Sequence, residues 1–132
     1  MVSAVKIGKR EAAALWRRAF AAGLAAGKAA LPAPMVVYEA DGLSGDPKPE
    51  GKSWNVSEGV CGFAWVIVKP GTSSFARWLV KNGYARKSYY GGVDVWVSAF
   101  GQSYDRKIAA ASAIAEVFRE AGIKAYADGR LD

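Results

Sequence analysis

The chain has 132 residues, of which 52% are hydrophobic, and it carries a formal net charge of +6 with a single cysteine and no histidine. That is one domain's length with enough apolar mass to bury a core, which excludes a disordered chain and a disulfide-dependent scaffold. The absence of histidine removes the commonest general base and metal ligand at neutral pH.

Charge is unevenly spread. Residues 1–30 carry +5, residues 31–60 carry −3 and residues 61–132 carry +4. Basic ends around an acidic middle suit a nucleic acid or an acidic protein partner. No run approaches the roughly 20 apolar residues that span a bilayer, so no membrane partner is expected. Lys6, Lys9 and Arg10 precede an alanine-rich stretch, but Arg17, Arg18 and Lys28 interrupt it. A signal peptide needs an uninterrupted apolar segment there, and a cytoplasmic location is expected.

In chain order, residues 8–31 predict a helix. Leu15, Trp16, Ala19, Phe20 and Leu24 recur at spacings of three and four and draw one apolar stripe. Ala19, Gly23 and Gly27 add a line of small residues that permits close approach to another element. Pro32 and Pro34 end the helix, because proline cannot continue its ladder. Met35–Tyr38 reads as a short strand. Residues 40–54, with Gly42, Gly45, Pro47, Pro49 and Gly51, read as a long loop.

Cys61 reads as a small buried core residue, the usual place for a free cysteine. Phe63–Lys69 is a strand apolar on both faces, and Pro70 and Gly71 stop it. Thr72 or Ser73 caps a short helix with Phe75, Leu79 and Val80 as its buried stripe, closed by Asn82 and Gly83. Tyr84–Tyr90 and Val93–Phe100 read as the arms of a hairpin turning on Gly91 and Gly92. In the second arm Val93, Val95 and Val97 alternate with Asp94, Trp96 and Ser98, so one side faces a core and the other faces outward. Ser103 caps a long helix whose core stripe is Ile108, Ala111, Ile114, Ala115 and Phe118. Gly122 closes it, and Ile123–Ala127 is a last strand.

These elements predict an α+β fold: a ferredoxin-like βαββαβ antiparallel sheet with an additional N-terminal helix. The expected organisation is a basic amphipathic helix over 1–34, an acidic Gly/Pro-rich linker over 35–60 and the ferredoxin-like domain over 61–132.

No catalytic motif, phosphate-cradling glycine loop, metal site or cofactor site is predicted. Glu39, Asp41, Asp46 and Glu50 match no known cation-site spacing and read as a solvated loop. Cys61 lacks the histidine that would activate it as a nucleophile. Two binding surfaces remain. Trp65, Trp96 and Tyr126, with Tyr89 or Tyr90, can share one side of the sheet, as aromatics do where such sheets stack bases. Arg86, Lys87 and Lys124 would then reach phosphates. The stripe of Trp16, Phe20 and Leu24 predicts instead that the N-terminal helix lies across that face, on its own sheet or on that of a second copy. The second surface is a basic ridge of Arg77, Lys81, Arg86, Lys87, Arg106 and Lys107. Arg106 and Lys107 stand in the first turn of a helix, where cations oppose the dipole and an anion nearby would explain them.

The runs VCGFAWVIVKPG (60–71), SYYGGVDVWVS (88–98), QSYDRK (102–107) and AGIKAYADGRLD (121–132) resemble small uncharacterised proteins of tailed bacteriophages and prophages. The resemblance implies a phage setting and no catalytic residues. The function expected is a non-enzymatic binding protein whose basic surface engages nucleic acid, a host nucleoprotein complex or an acidic protein, as an inhibitor of a host defence system. The alternative is a structural or self-assembling phage protein, either a virion component or a homo-oligomer.

Overall fold

The computed structural model describes residues 6–38, 45 and 51–132. The acidic group of Glu39, Asp41, Asp46 and Glu50 lies outside the described residues. Helix α1 spans Lys9–Ala29, strands β1 and β2 span Met35–Tyr38 and Ser53–Val56, and β3 spans Gly62–Lys69. Helix α2 (Ser74–Lys81), strands β4 (Arg86–Lys87) and β5 (Val93–Trp96), helix α3 (Tyr104–Glu120) and strand β6 (Lys124–Leu131) complete the chain. The protein is a mixed α+β structure with antiparallel sheets. One sheet is the β1–β2 pair, and the other has four strands in the order β4-β5-β3-β6. Among the described residues no helix is long and apolar enough to cross a membrane.

Local chemistry fixes the element ends. Ser73 accepts a hydrogen bond from the Ala76 amide and Ser103 from the Arg106 amide, so each serine satisfies a first-turn donor. Both α2 and α3 end on a glycine with positive φ, Gly83 and Gly122. In each case the next residue reaches back five positions, Tyr84 to the Leu79 carbonyl and Ile123 to that of Phe118.

The four-stranded sheet buries one face. Ala64, Val66 and Val68 of β3, Val93 and Val95 of β5 and Ala125 of β6 meet Phe75, Ala76 and Leu79 of α2 and Ala111, Ile114, Ala115 and Phe118 of α3. Ala12, Leu15 and Ala19 of α1 join the same core.

The N-terminal helix does not lie across the other face as its stripe predicted. It packs beside α3 in the helical layer. A side chain at Gly23 would sit 2.7 Å from Ile114 Cγ1, and one at Gly27 would collide with the Phe100 ring. The small residues therefore decide the docking, because they let two backbones approach. Trp16 stacks on Tyr84 with centroids 4.5 Å apart, and Phe20 stacks on Trp16. The aromatic stripe thus stacks at the end of α2, where Trp16, Phe20 and Leu24 wall a pocket that Trp96 also borders.

Four strands differ from expectation. Within residues 35–60, read as a linker, the short strand expected at Met35–Tyr38 is β1, and the unexpected β2 pairs with it. The hairpin arms are shorter than the hydrophobic pattern suggested. On one side Ala85 still bonds back to Leu79; on the other, the chain leaves the sheet after Val97 bonds to Ala64. Phe100 then takes a left-handed backbone at φ 69°, which its ring packing against Gly27 holds in place. Strand β6 runs on to Leu131 because β3 begins at Gly62 and offers a partner along its whole length. As the edge strand, β6 has part of its free side occupied from within: Arg119 Nη1 donates to the Ala125 carbonyl at 2.9 Å, and the Gly129 amide donates to Asp128 Oδ1 at 2.8 Å.

Candidate nucleic-acid interface

The face of the four-stranded sheet turned away from the helices carries its large side chains. Along β3, Gly62, Ala64, Val66 and Val68 are buried while Phe63, Trp65, Ile67 and Lys69 alternate with them as partly exposed residues. Register then fixes the rows. Trp96 pairs with Trp65 and Trp65 with Asp128; Asp94 pairs with Ile67 and Ile67 with Tyr126; Phe63 pairs with Arg130, and Lys69 with Lys124. Arg86 lies beyond Asp94 on β4. Among the described residues no helix packs on this face.

Rings and cations interleave on it. The Trp65 and Trp96 rings lie 4.7 Å apart, with Phe63 edge-on to Trp96. The Arg86 guanidinium sits 5.0 Å from the Trp96 centroid, Arg130 5.4 Å from Phe63, and Lys69 Nζ 6.0 Å from Tyr126. Such contacts orient a cation without neutralising it. Lys69, Arg86, Lys124 and Arg130 have no ion-pair partner among the described residues.

Beside this face stands the hairpin tip. The Gly91 amide bonds to the Ser88 carbonyl, and Ser88 bonds to the Gly92 carbonyl, which puts Tyr89 and Tyr90 at the centre of the turn. Gly91 and Gly92 both take positive φ, as the sequence anticipated, yet they follow the turn instead of forming it. Tyr89 is 94% exposed and Tyr90 87%, with their rings edge to face at 5.1 Å. Tyr89, Tyr90, Ser88, Trp65, Tyr126 and Asp128 are among the residues that wall a cleft of about 500 Å³ over the sheet.

Asp94 is the exceptional charge here. Burial pushes its carboxyl above the usual carboxylate range; the Ser88 hydroxyl and the Arg86 charge pull it back, and Asp128 adds to the rise.

The sequence-predicted residues separate into groups. Trp65, Trp96 and Tyr126 come together on the open face, Tyr89 stands at its rim and Arg86 lies over Trp96. Arg77, Lys81 and Lys87 are exposed on the helical side, away from the aromatics. Arg106 is not free for a ligand. Its Nε bonds Glu58 Oε2 at 2.8 Å, and its Nη1 bonds the Gly27 and Lys28 carbonyls at 2.9 and 3.0 Å. The negative end of α1 and Glu58 are thus the anions that its position called for. Lys107 is buried, with its ammonium 5.6 Å from the Phe63 ring. Cys61, expected inside, is exposed beside Ser103.

Sequence reasoning missed Phe63, Ile67, Lys69, Asp128 and Arg130 as members of the face. In β3 both faces are apolar, so the signal lay in side-chain size, with large residues outward and small or β-branched ones inward. The chain matches no protein-family model, no curated protein and no solved structure.

Proposed function

We propose that the protein is a non-enzymatic binder of single-stranded nucleic acid and that the open sheet face is its binding surface. The observation that carries this reading is the set of four cations with no ion-pair partner among the described residues, Lys69, Arg86, Lys124 and Arg130, set among Phe63, Trp65, Trp96 and Tyr126 on a face that no described helix covers. A polyanion with flat bases complements both halves of that pattern, with phosphates on the cations and bases on the rings. A ferredoxin-like topology agrees with it. The order β4-β5-β3-β6 puts first and third body strands at the centre of the sheet, so Trp65 and Trp96 stand side by side. The phage resemblance suggests that such occupancy obstructs a host defence machine.

The test is titration of single-stranded DNA and RNA oligonucleotides, followed by quenching of tryptophan fluorescence across a salt series. Four phosphate contacts predict a log–log salt slope of roughly −3. Arg86→Ala and Arg130→Ala should each reduce it by about 0.7. Arg77→Ala with Lys81→Ala should leave affinity unchanged, because both lie in the helical layer. No binding at low ionic strength, or loss through Arg77 and Lys81 alone, sinks the assignment of this face.

A further inference from the structure

A second concave site lies toward the helical layer, where β5 leaves the sheet. A pocket of about 400 Å³ opens there between α1, α3 and residues 95–100. Val95, Ala110 and Ile114 form its floor and are buried, while Phe20, Tyr84 and Ser98 stand at its mouth and are exposed. The volume falls within the roughly 300–1,000 Å³ of small-molecule sites.

The chemistry of the wall narrows what could enter. Charged residues make up 23% of the chain, yet none of the described residues around this pocket carries a charge. An ion placed here would give up its hydration with no counter-charge to replace it, whereas a neutral molecule keeps the full gain of apolar burial. Rings dominate the rest. Trp16 stacks on both Phe20 and Tyr84, with centroids 5.6 and 4.5 Å away and planes 25° and 21° apart, and Trp96 and Phe100 also border the pocket. These contacts hold the rings to one another, so the wall is ordered before any ligand arrives and little freedom is lost on binding. Phe20 and Tyr84 still leave 44% and 42% of their surface to water, and a flat guest would cover it. Rings gain offset and edge contacts with an aromatic guest beyond the area buried. The Tyr84 and Ser98 hydroxyls can serve one polar group at the mouth.

We propose that this pocket binds a small neutral aromatic molecule, its rings against Trp16, Phe20 and Tyr84 and its polar group turned to the mouth. The site is separate from strand binding and is tested without nucleic acid, so the two readings stand or fall independently.

The probes are N-phenyl-1-naphthylamine and its sulfonated analogue 8-anilinonaphthalene-1-sulfonate, which share one ring framework and differ by a negative charge. A net charge of +6 favours the sulfonate everywhere else on the surface. The uncharged pocket should reverse that order, binding the neutral dye at one per chain and about tenfold more tightly, read by dye fluorescence and by energy transfer from tryptophan. Phe20→Ala removes one ring at a half-exposed position and should weaken the neutral dye roughly three- to tenfold. Ser98→Trp fills the mouth from an exposed position and should abolish binding; if that variant fails to fold by circular dichroism, Phe20→Ala carries the test. 1-Naphthol should displace the dye better than 1-octanol, an aliphatic alcohol of similar hydrophobicity. No saturable binding of the neutral dye overturns the proposal, and so does equal or tighter binding of the sulfonate. Better displacement by octanol overturns the aromatic class. Dye binding unchanged in the folded variants places the dye elsewhere and overturns the pocket.

Discussion

Replacing Gly23 with alanine adds a methyl group where α1 crosses α3, and the outcome bears on whether the sheet face is free. An ideal Cβ at this position would lie 2.7 Å from Ile114 Cγ1, 2.8 Å from Cδ1 and 3.3 Å from the Ala110 carbonyl. Two opposing terms follow. Alanine in a helix interior gains about 1 kcal/mol over glycine. Forcing a methyl into a packed contact costs about 1–3 kcal/mol. Gly23→Ala should therefore destabilise the wild-type protein by roughly 0–2 kcal/mol net. In an Ile114→Ala background the obstructing carbons are gone, and the same substitution should stabilise by about 1 kcal/mol. Ile114→Ala alone costs about 2–5 kcal/mol, because the side chain is buried. Urea unfolding of the four proteins closes the cycle and yields the coupling directly. If Gly23→Ala stabilises equally in both backgrounds, α1 does not press on α3, and the helix regains the option of lying over Trp65 and Trp96.

Arg106→Ala removes three hydrogen bonds that tie the end of α1 and Glu58 to α3, and should cost about 1–3 kcal/mol in urea unfolding; Arg106→Lys should not restore the loss, since one ammonium cannot span the fork. The raised pKa of Asp94 means that its linked stability is full below the unfolded carboxylate range and is lost as pH rises through the folded value. Asp94→Asn should accordingly raise the urea midpoint at neutral pH, and its advantage should vanish as the buffer is taken down toward about pH 4. Tyr89→Ser with Tyr90→Ser should change stability by less than about 0.5 kcal/mol, given their exposure, while weakening strand binding in the fluorescence titration.

Much of the fold could be read from punctuation. Ser73, Ser103, Gly83 and Gly122 mark helix ends by local chemistry that needs no tertiary context, and the alternation of Val93, Asp94, Val95 and Trp96 gave the inward side of β5 correctly. The docking of α1 was not legible from its large residues. Trp16 and Phe20 advertised an apolar stripe, but the flat line of Ala19, Gly23 and Gly27 set the approach, and that line needed α3 as its partner to be understood. Arg106 and Lys107 looked alike in sequence. Only the arrival of α1 and Glu58 beside the first turn of α3 separates a guanidinium with three acceptors from a buried ammonium. The open face was half visible, because Trp65, Trp96 and Tyr126 were named from aromatic identity while Asp128 and Arg130 depended on β6 running past Ala127.

The side chains that occupy the rim of β6 have a consequence for how this molecule meets others. A visiting strand that sought to lengthen the sheet there would first have to dislodge Arg119 from the Ala125 carbonyl and Asp128 from the Gly129 amide. At the opposite rim β4 offers a ladder only two residues long. Zippering of copies into ribbons is thus discouraged at both margins. Visitors are steered from the perimeter to the plateau, and aromatic surface that would be hazardous beside a sticky edge can stay uncovered.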